Sequence, residues 1–166
     1  WTHSYNVHLV ESVFDASVVL MRGDGREEVY DSIGAGNYRP RFPGVHDQLV
    51  KTGAGFTLTL KSQTQYTFDL TGKLVRIADR NGNTQNLAYA AGRLVTITDT
   101  VGRAVSLSYS AAGQLLSVTA PTGRAARFAY DASNNLVTSV DPAGSVMRYL
   151  YDGLHRATRI VDRRGN

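Results

Sequence analysis

The 166-residue sequence contains no cysteine, only 4 prolines and no long apolar run. Without cysteine the chain has no disulfides and no thiolate metal sites. No stretch approaches the about 18 consecutive apolar residues of a membrane-spanning helix, so we expect no membrane insertion. The net charge is +4, but the basic residues are scattered along the sequence. Nucleic-acid binders usually gather such charge on one face with aromatic residues, so the sequence predicts no nucleic-acid partner.

What is abundant is glycine, with 16 residues, alongside an ordinary apolar content of 42%. That combination is typical of a folded protein with many tight turns rather than a disordered one. The chain opens at Trp1 without a basic and apolar leader, and it stops at Asn166 part-way through a repeating pattern. We expect both ends to be internal positions of a longer protein, with any targeting signal outside them.

Three rows of residues recur at steps of 20 or 21 between residues 67 and 166. The aromatic row is Phe68, Tyr89, Tyr109, Tyr130 and Tyr151. The glycine row is Gly82, Gly102, Gly123, Gly144 and Gly165, and the third row is Leu74, Leu94, Leu115, Leu136 and Ala157. A fixed period of this length indicates a repeat architecture. We therefore predict an N-terminal β segment over 1–66 and tandem repeats of about 21 residues over 67–166, the last one incomplete.

Each repeat has the pattern of two strands and two turns. The second strands alternate apolar and polar residues, as in Val105, Leu107 and Tyr109, which is typical of a strand buried on one face. The first strands are rich in β-branched residues, as in 94–97. Antiparallel strands are predicted near 73–78 and 84–89, and again in each later repeat, with no helix of more than two turns.

The two turns of a repeat have different sequence signatures. One has the form Asp-x-x-Gly, as in 79–82 and 141–144, which fits a type I turn with the aspartate bonded back to the backbone. The other places Gly72, Gly92, Gly113, Asn134 and His155 at one position. Glycine, asparagine and histidine are residues that tolerate a positive φ, so a left-handed conformation is predicted there.

Residues 1–66 do not follow the 21-residue step but also indicate β-structure. Strands at 18–21 and 27–30 flank Gly23-Asp24-Gly25, a hairpin signal, and a second pair is predicted at 56–60 and 64–68. The stretch 32–44, with two glycines before Pro40 and Pro43, is predicted to be a long loop.

Sites for catalysis or metal binding have little support in the sequence. The four histidines, His3, His8, His46 and His155, have no zinc-ligand spacing, and there is no G-x-S-x-G turn. His46-Asp47 could form part of a catalytic pair, and Gly34-Ala-Gly36 lacks the strand-to-helix context of a phosphate loop. We predict no catalytic residue, no metal ligand and no cofactor, and the chain is expected not to be an enzyme.

A binding module is the alternative to a structural role. Tyr149, Tyr151 and Arg148 lie close together in the sequence and could stack on a carbohydrate if exposed on a β surface. The competing explanation is that the tyrosines are packing residues of the repeat. We favour packing and keep a cell-surface carbohydrate-binding or adhesion module as the second hypothesis.

The pattern resembles the Rhs/YD-repeat family. An aromatic-Asp pair, present at 68–69, 130–131 and 151–152, is followed by Gly, Leu and Asp-x-x-Gly, although Tyr89-Ala90 and Tyr109-Ser110 depart from it. Segments 79–83, 151–156 and 1–5 are also close to the family's sequences. The family's self-cleaving end is not recognisable, and Asp141-Pro142 is interpreted as an ordinary turn.

The resemblance implies an all-β fold of antiparallel hairpin repeats that form a curved strip, one segment of a β-shell. In that family, which includes bacterial Rhs proteins, insecticidal toxin-complex proteins and teneurins, the shell encloses a C-terminal toxin in the bacterial members. The implied partners are the rest of the parent chain and its toxin, and the implied location is secreted or on the bacterial cell surface. The strand at 157–161 lacks a following partner in the sequence, so we also expect self-association through an open strand edge.

Overall fold

A computed structural model of the chain describes residues 3–165, and every regular element within them is a β-strand. The strands form one antiparallel sheet whose strand order is the chain order. They are β1 (His8–Glu11), β2 (Val18–Met21), β3 (Glu27–Gly34), β4 (Asn37–Pro40), β5 (Gln48–Thr52), β6 (Gly55–Thr59), β7 (Gln65–Phe68), β8 (Leu74–Ala78), β9 (Thr84–Ala90), β10 (Arg93–Asp99), β11 (Ala104–Tyr109), β12 (Leu115–Thr119), β13 (Ala125–Tyr130), β14 (Leu136–Val140), β15 (Val146–Tyr151) and β16 (Ala157–Val161).

The all-β class and the hairpin repeats predicted from the sequence are confirmed. β8 and β9 pair where the first repeat was predicted to form a hairpin, and β10–β11, β12–β13 and β14–β15 pair in the same way in the later repeats. β2 and β3 flank the Gly23-Asp24-Gly25 turn, as expected. The described residues contain no helix, and so no helix that could cross a membrane.

Two compact units make up the chain, one ending at Leu87 and the other beginning at Ala88. The first unit has a hydrophobic core built from many strands. Its buried apolar side chains are Val7, Leu9, Val18, Leu20, Tyr30, Leu49, Phe56, Leu58, Phe68, Leu74, Ala78 and Leu87. Since Phe68, Leu74 and Ala78 belong to the first repeat, that repeat contributes directly to this core.

Within the first unit, β1 returns to the turn between β7 and β8. The Leu9 N–H donates to the Gly72 carbonyl at 2.8 Å, and His8 forms an antiparallel bridge with Lys73. Gly72 has a φ of +79°, and a Cβ added there would overlap the carbonyl oxygen of Leu9. Glycine is therefore required at position 72 for two separate reasons, the left-handed backbone and the close approach of β1.

The prediction of a long loop over 32–44 is wrong. β3 continues to Gly34, and β4 returns after a tight turn in which Ala35 and Gly36 have φ values of +49° and +75°. Pro40 is at the end of β4, opposite Tyr30, where a missing N–H costs little. Glycines and prolines that indicate a loop in the sequence thus form a hairpin turn and a strand end.

The second unit consists of hairpins with two unlike faces. Alternation along the strands and the cross-strand register place most apolar side chains on one side and most polar side chains on the other. The apolar face is defined as Val105, Leu107, Tyr109, Leu115, Val118, Ala126, Phe128, Tyr130, Leu136, Met147, Tyr149 and Tyr151, with Ser139 among them. The polar face is defined as Ser106, Ser108, Ser117, Thr119, Arg127, Ala129, Thr138, Arg148 and Arg159, with Val140, Val146 and Leu150 among them.

Most of the apolar face is only half-buried. Leu94 and Leu136 are the buried apolar side chains among the described residues of the second unit, and Met147 is exposed. In a single layer of strands, a side chain can pack only against its neighbours along the same face. The second unit therefore has no enclosed core of its own among these residues, and its apolar side chains are arranged in rows.

Candidate functional surface: the repeat turns and faces

The turns at both edges of the second unit share one hydrogen-bond design. In the turn that starts at Asp131, the Asn134 N–H donates to the Asp131 carbonyl at 3.1 Å. The Asp131 carboxylate accepts the N–H groups of Ser133 and Asn135, each at 2.9 Å. The turn that starts at Asp141 is built in the same way, with N–H donors at 2.8 and 2.9 Å. Each aspartate side chain therefore stabilises a turn.

A left-handed residue follows each of these turns. The predicted positive φ at Gly72, Gly92, Gly113, Asn134 and His155 is confirmed, with values from +60° at His155 to +89° at Gly113. The other glycine row adopts the same conformation, with a φ of +85° at Gly144. Apart from the turn at Gly92, the two turn classes that differ in sequence thus share a hydrogen bond from the fourth N–H to the first carbonyl and a left-handed fourth residue, the pattern of a type I turn that ends in a left-handed residue.

The unit around Tyr89, which is one residue shorter, has a different turn. β9 and β10 are joined by Ala91 and Gly92 alone, with φ values of +48° and +78°. Two consecutive residues with positive φ are the signature of a two-residue type I′ hairpin loop. The 20-residue step in the sequence is therefore explained by the exchange of one turn type for a shorter one.

Tyrosines of the aromatic row link successive repeats. The hydroxyls of Tyr109, Tyr130 and Tyr151 donate to the backbone carbonyls of Leu94, Leu115 and Leu136 at 2.8, 3.1 and 3.0 Å. In each case the acceptor precedes the tyrosine by 15 residues, and it belongs to the leucine row. The two sequence rows are therefore joined by the same hydrogen bond in every one of these repeats, which fixes the repeat register.

Polar side chains connect the turns along one edge of the second unit. The Gln114 side-chain amide donates to the Asn134 side chain at 2.8 Å, and a ring nitrogen of His155 lies 3.1 Å from the Asn135 side chain. Each link joins two consecutive turns 20 residues apart. His155 accordingly has the role of a left-handed turn residue with an edge contact, and its surroundings have no feature of a catalytic centre.

The carbohydrate candidates do not form one platform. Tyr149 and Tyr151 lie on the apolar face and are half-buried, whereas Arg148, between them in β15, lies on the polar face. The Tyr151 hydroxyl is bonded to Leu136, and the Tyr149 hydroxyl is 3.1 Å from that of Ser139. The structure therefore separates the three residues, and the tyrosines have packing partners.

The remaining sequence candidates are also dispersed. His46 is exposed, and its neighbour Asp47 accepts the Lys61 N–H at 3.1 Å. His3 precedes β1, His8 begins it, and no group of three possible metal-ligating side chains occurs within residues 3–165. Gly34 to Gly36 form the β3–β4 turn. Asp141, the residue considered for self-cleavage, is occupied by its turn hydrogen bonds.

We expect Tyr130→Phe to reduce the free energy of unfolding of the second unit by about 1 kcal/mol. The substitution removes one hydroxyl and leaves the Leu115 carbonyl without that donor. Urea denaturation followed by circular dichroism measures the change. Tyr149→Phe is the matched control. The Tyr149 hydroxyl bonds to the Ser139 hydroxyl, which can rotate and form a hydrogen bond with water instead. Equal effects of the two substitutions would contradict the special role of the aromatic row.

We expect the repeats to lose stability in acid because their turn carboxyls have lowered pKa values. The Asn135 side-chain amide and backbone N–H lower the pKa of Asp131. The Arg156 backbone N–H and guanidinium lower the pKa of Asp152. A carboxyl whose pKa is depressed by folding stabilises the fold above its unfolded pKa, near 4 for aspartate, and that contribution is lost as the pH falls through the lower folded value.

Urea midpoints at pH 7, 5 and 3 measure this dependence. The midpoint should change little between pH 7 and 5 and fall between pH 5 and 3. The fall should be smaller for Asp131→Asn, which keeps an oxygen acceptor but does not titrate. If the urea midpoint of Asp131→Asn falls as far as that of the unsubstituted chain, the Asp131 carboxyl does not contribute to the acid sensitivity.

Comparison with known proteins identifies repeats in the second unit. The RHS repeat family matches three overlapping stretches, residues 89–125, 109–146 and 130–166. The matches begin at Tyr89, Tyr109 and Tyr130, which are three consecutive members of the aromatic row. No curated protein matches the chain.

Solved structures have a similar fold. A TcdB2-TccC3 complex without its hypervariable C-terminal region matches with a TM-score of 0.55 and 20% identity, over 88% of this chain and 10% of that one. A Tc holotoxin pore of Photorhabdus luminescens with a mutated TccC3 matches with a TM-score of 0.53 and 20% identity, over 88% and 9%. TcdB2-TccC3-TEV matches at 0.52 and 19%, over 88% and 10%. The chain thus spans about a tenth of these proteins, and the likeness establishes the fold.

Proposed function

We propose that the chain is a non-catalytic structural segment of a longer Rhs-like protein, because residues 89–166 match the RHS repeat family. In this proposal its strands form part of a β-shell that encloses or presents a C-terminal toxin domain. Residues 1–66 lead into the wall, and residues 67–166 are its tandem repeats. The rest of the parent chain and its toxin are the partners, and the assembly is secreted or on a bacterial cell surface.

The observation that supports this proposal most is the arrangement of the apolar face. Its rows are continuous from β11 to β15, yet most members stay half-buried. The hydroxyl of each bonded tyrosine reaches only the preceding repeat. Repeats that stabilise one another in this nearest-neighbour manner can extend into a strip of any length. Such a strip suits a wall, because each added hairpin continues both faces without altering the earlier ones.

The absence of catalysis is supported by how the carboxylates are used. All five acidic residues after residue 88 are aspartates of the repeat turns, Asp99, Asp131, Asp141, Asp152 and Asp162. Each accepts at least one backbone N–H within its own turn. They lie at the strand ends, apart from one another along the edges. We therefore assign these residues to folding rather than to a reaction.

The Tc complexes share the fold of this chain, and the first of them is a TcdB2-TccC3 complex without its hypervariable C-terminal region. A wall of repeats followed by a variable segment is the organisation that we propose for the parent of this chain. The alternative, a surface carbohydrate-binding or adhesion module, is favoured less because Tyr149 and Tyr151 have packing partners.

Limited proteolysis of the full parent protein tests the enclosure. We expect the segment after the repeats to resist cleavage in the intact chain and to be cut rapidly when expressed alone. Deleting residues 110–130, one complete repeat unit, should open the wall and raise the cleavage rate at least tenfold. Arg80→Gln, at an exposed turn, is the control and should change nothing. Equal cleavage in the intact and deleted chains would refute enclosure.

A chain of the 166 residues alone should associate at high concentration. Among the described residues β16 has one strand neighbour, β15, so one of its edges offers backbone N–H and C=O groups for pairing. The charges of Arg159, Asp162 and Arg163 weaken such pairing, so we expect a dissociation constant in the micromolar range or above. Light scattering over a concentration series measures it, and a monomer at millimolar concentration would contradict the expectation.

A further inference from the structure

We propose that the polar face of the second unit binds a sulfated polysaccharide through an arginine stripe, defined here as Arg127, Arg148 and Arg159. The inference does not depend on the shell function, since it concerns only the surface of β13 to β16. It assigns a ligand to the face opposite the one considered for sugar stacking.

The stripe follows from the strand register. Arg127 in β13 is opposite Val140, which is in turn opposite Val146 in β15, two residues before Arg148. This places Arg148 two strands and two residues from Arg127, on the order of 12 Å at normal sheet spacing. Arg159 in β16 is the diagonal neighbour of Arg148, at about 8 Å. Both offsets have the same direction, so the three arginines lie along one diagonal of the face.

The positive charges of the arginine stripe are not paired with acidic side chains. All three are exposed, and within residues 3–165 none of them makes an ion pair or a side-chain hydrogen bond. By contrast Arg103 and Arg156 pair with turn aspartates at 2.7 Å. The strands that carry the stripe, β13 to β16, contain no acidic residue, so their polar face has no carboxylate. The face therefore has a line of positive charge with no internal partner.

The surroundings of the stripe favour a sulfated polysaccharide over other polyanions. Ser108, Ser117 and Thr138 lie on the same face, where their hydroxyls can bond to sugar hydroxyls in addition to the bond of 2.7 Å between those of Ser108 and Ser117. Val140, Val146 and Leu150 share this face with the arginines. The guanidinium fork matches the paired oxygens of sulfate and carboxylate groups. Single-stranded nucleic acid normally requires aromatic platforms for its bases, and the aromatic side chains of these strands lie on the apolar face.

Fluorescence anisotropy with a labelled heparin dodecasaccharide tests the proposal on the 166-residue chain. We expect Arg127→Gln with Arg148→Gln to weaken binding at least tenfold. The control pair, Arg103→Gln with Arg156→Gln, removes the same charge from the edges and should weaken binding less than twofold. Replacing Arg127 and Arg148 by lysine keeps the charge but loses the fork, and it should give an intermediate loss.

Three results would overturn the proposal. The first is no binding, or equal losses in the stripe and control pairs, which would indicate net charge alone. The second is equal binding of the desulfated dodecasaccharide. The third is equal or tighter binding of an oligonucleotide or an acidic peptide of matched charge. Thermal unfolding of every variant ensures that lost binding does not reflect lost folding, and the lysine variants keep the test decisive if a glutamine pair unfolds.

Discussion

Replacing Gly72 with alanine should destabilise the first unit by about 3 kcal/mol or more. A left-handed non-glycine residue costs about 1–2 kcal/mol, and the new methyl group would also overlap the Leu9 carbonyl. To relieve the overlap, β1 must move away, which breaks the hydrogen bond from the Leu9 N–H at 2.8 Å and adds about 1 kcal/mol. Urea denaturation of the substituted chain gives the change in the free energy of unfolding.

Gly102→Ala is the matched control for this prediction. Gly102 has a φ of +84°, close to the +79° of Gly72, but no atom lies within 4 Å of the position where its Cβ would be. Its substitution should cost only the backbone term, about 1–2 kcal/mol. If the two substitutions cost the same, the contact of β1 with the β7–β8 turn does not contribute to stability.

Phe68→Ala should destabilise the first unit by about 3–5 kcal/mol. The Phe68 side chain is fully buried, so its removal leaves a cavity among packed neighbours. Tyr130→Ala, at the same position of a later repeat, should cost the second unit less, about 1–2 kcal/mol, because Tyr130 is half-buried and its site is open to solvent.

The comparison of these two variants tests whether equivalent sequence positions have different roles in the two units. The denaturation midpoint of each variant, followed by circular dichroism, provides this comparison. A loss at Tyr130 as large as that at Phe68 would mean that the second unit has a dense core that its half-buried rows do not indicate.

The repeat itself could be predicted because its signals are local. The alternation of Val105, Leu107 and Tyr109 determines which face is apolar, and each Asp-x-x-Gly segment contains its own turn hydrogen bonds. The left-handed position was predictable from the exchange of Gly113, Asn134 and His155, since those residues tolerate positive φ. Local chemistry therefore accounts for the strands, the turns and the repeat length.

What could not be predicted depends on contacts between distant residues. The approach of Leu9 to Gly72 joins positions 63 residues apart, and nothing in either segment indicates it. The β4 strand was missed because Gly36 and Pro40 are typical of loops, although tertiary pairing accommodates both. The arginine stripe had a sequence signal, the 21-residue step from Arg127 to Arg148, but its significance requires the face that the register assigns.

The central claim, that this chain is one stretch of a repeat wall, is tested most directly by electron cryo-microscopy of the full parent protein. The account predicts that β10 to β16 continue in register into the neighbouring repeats as one layer of a closed wall around the C-terminal segment. A reconstruction in which these strands form a separate module, with both faces open to solvent and the C-terminal segment outside, would contradict it.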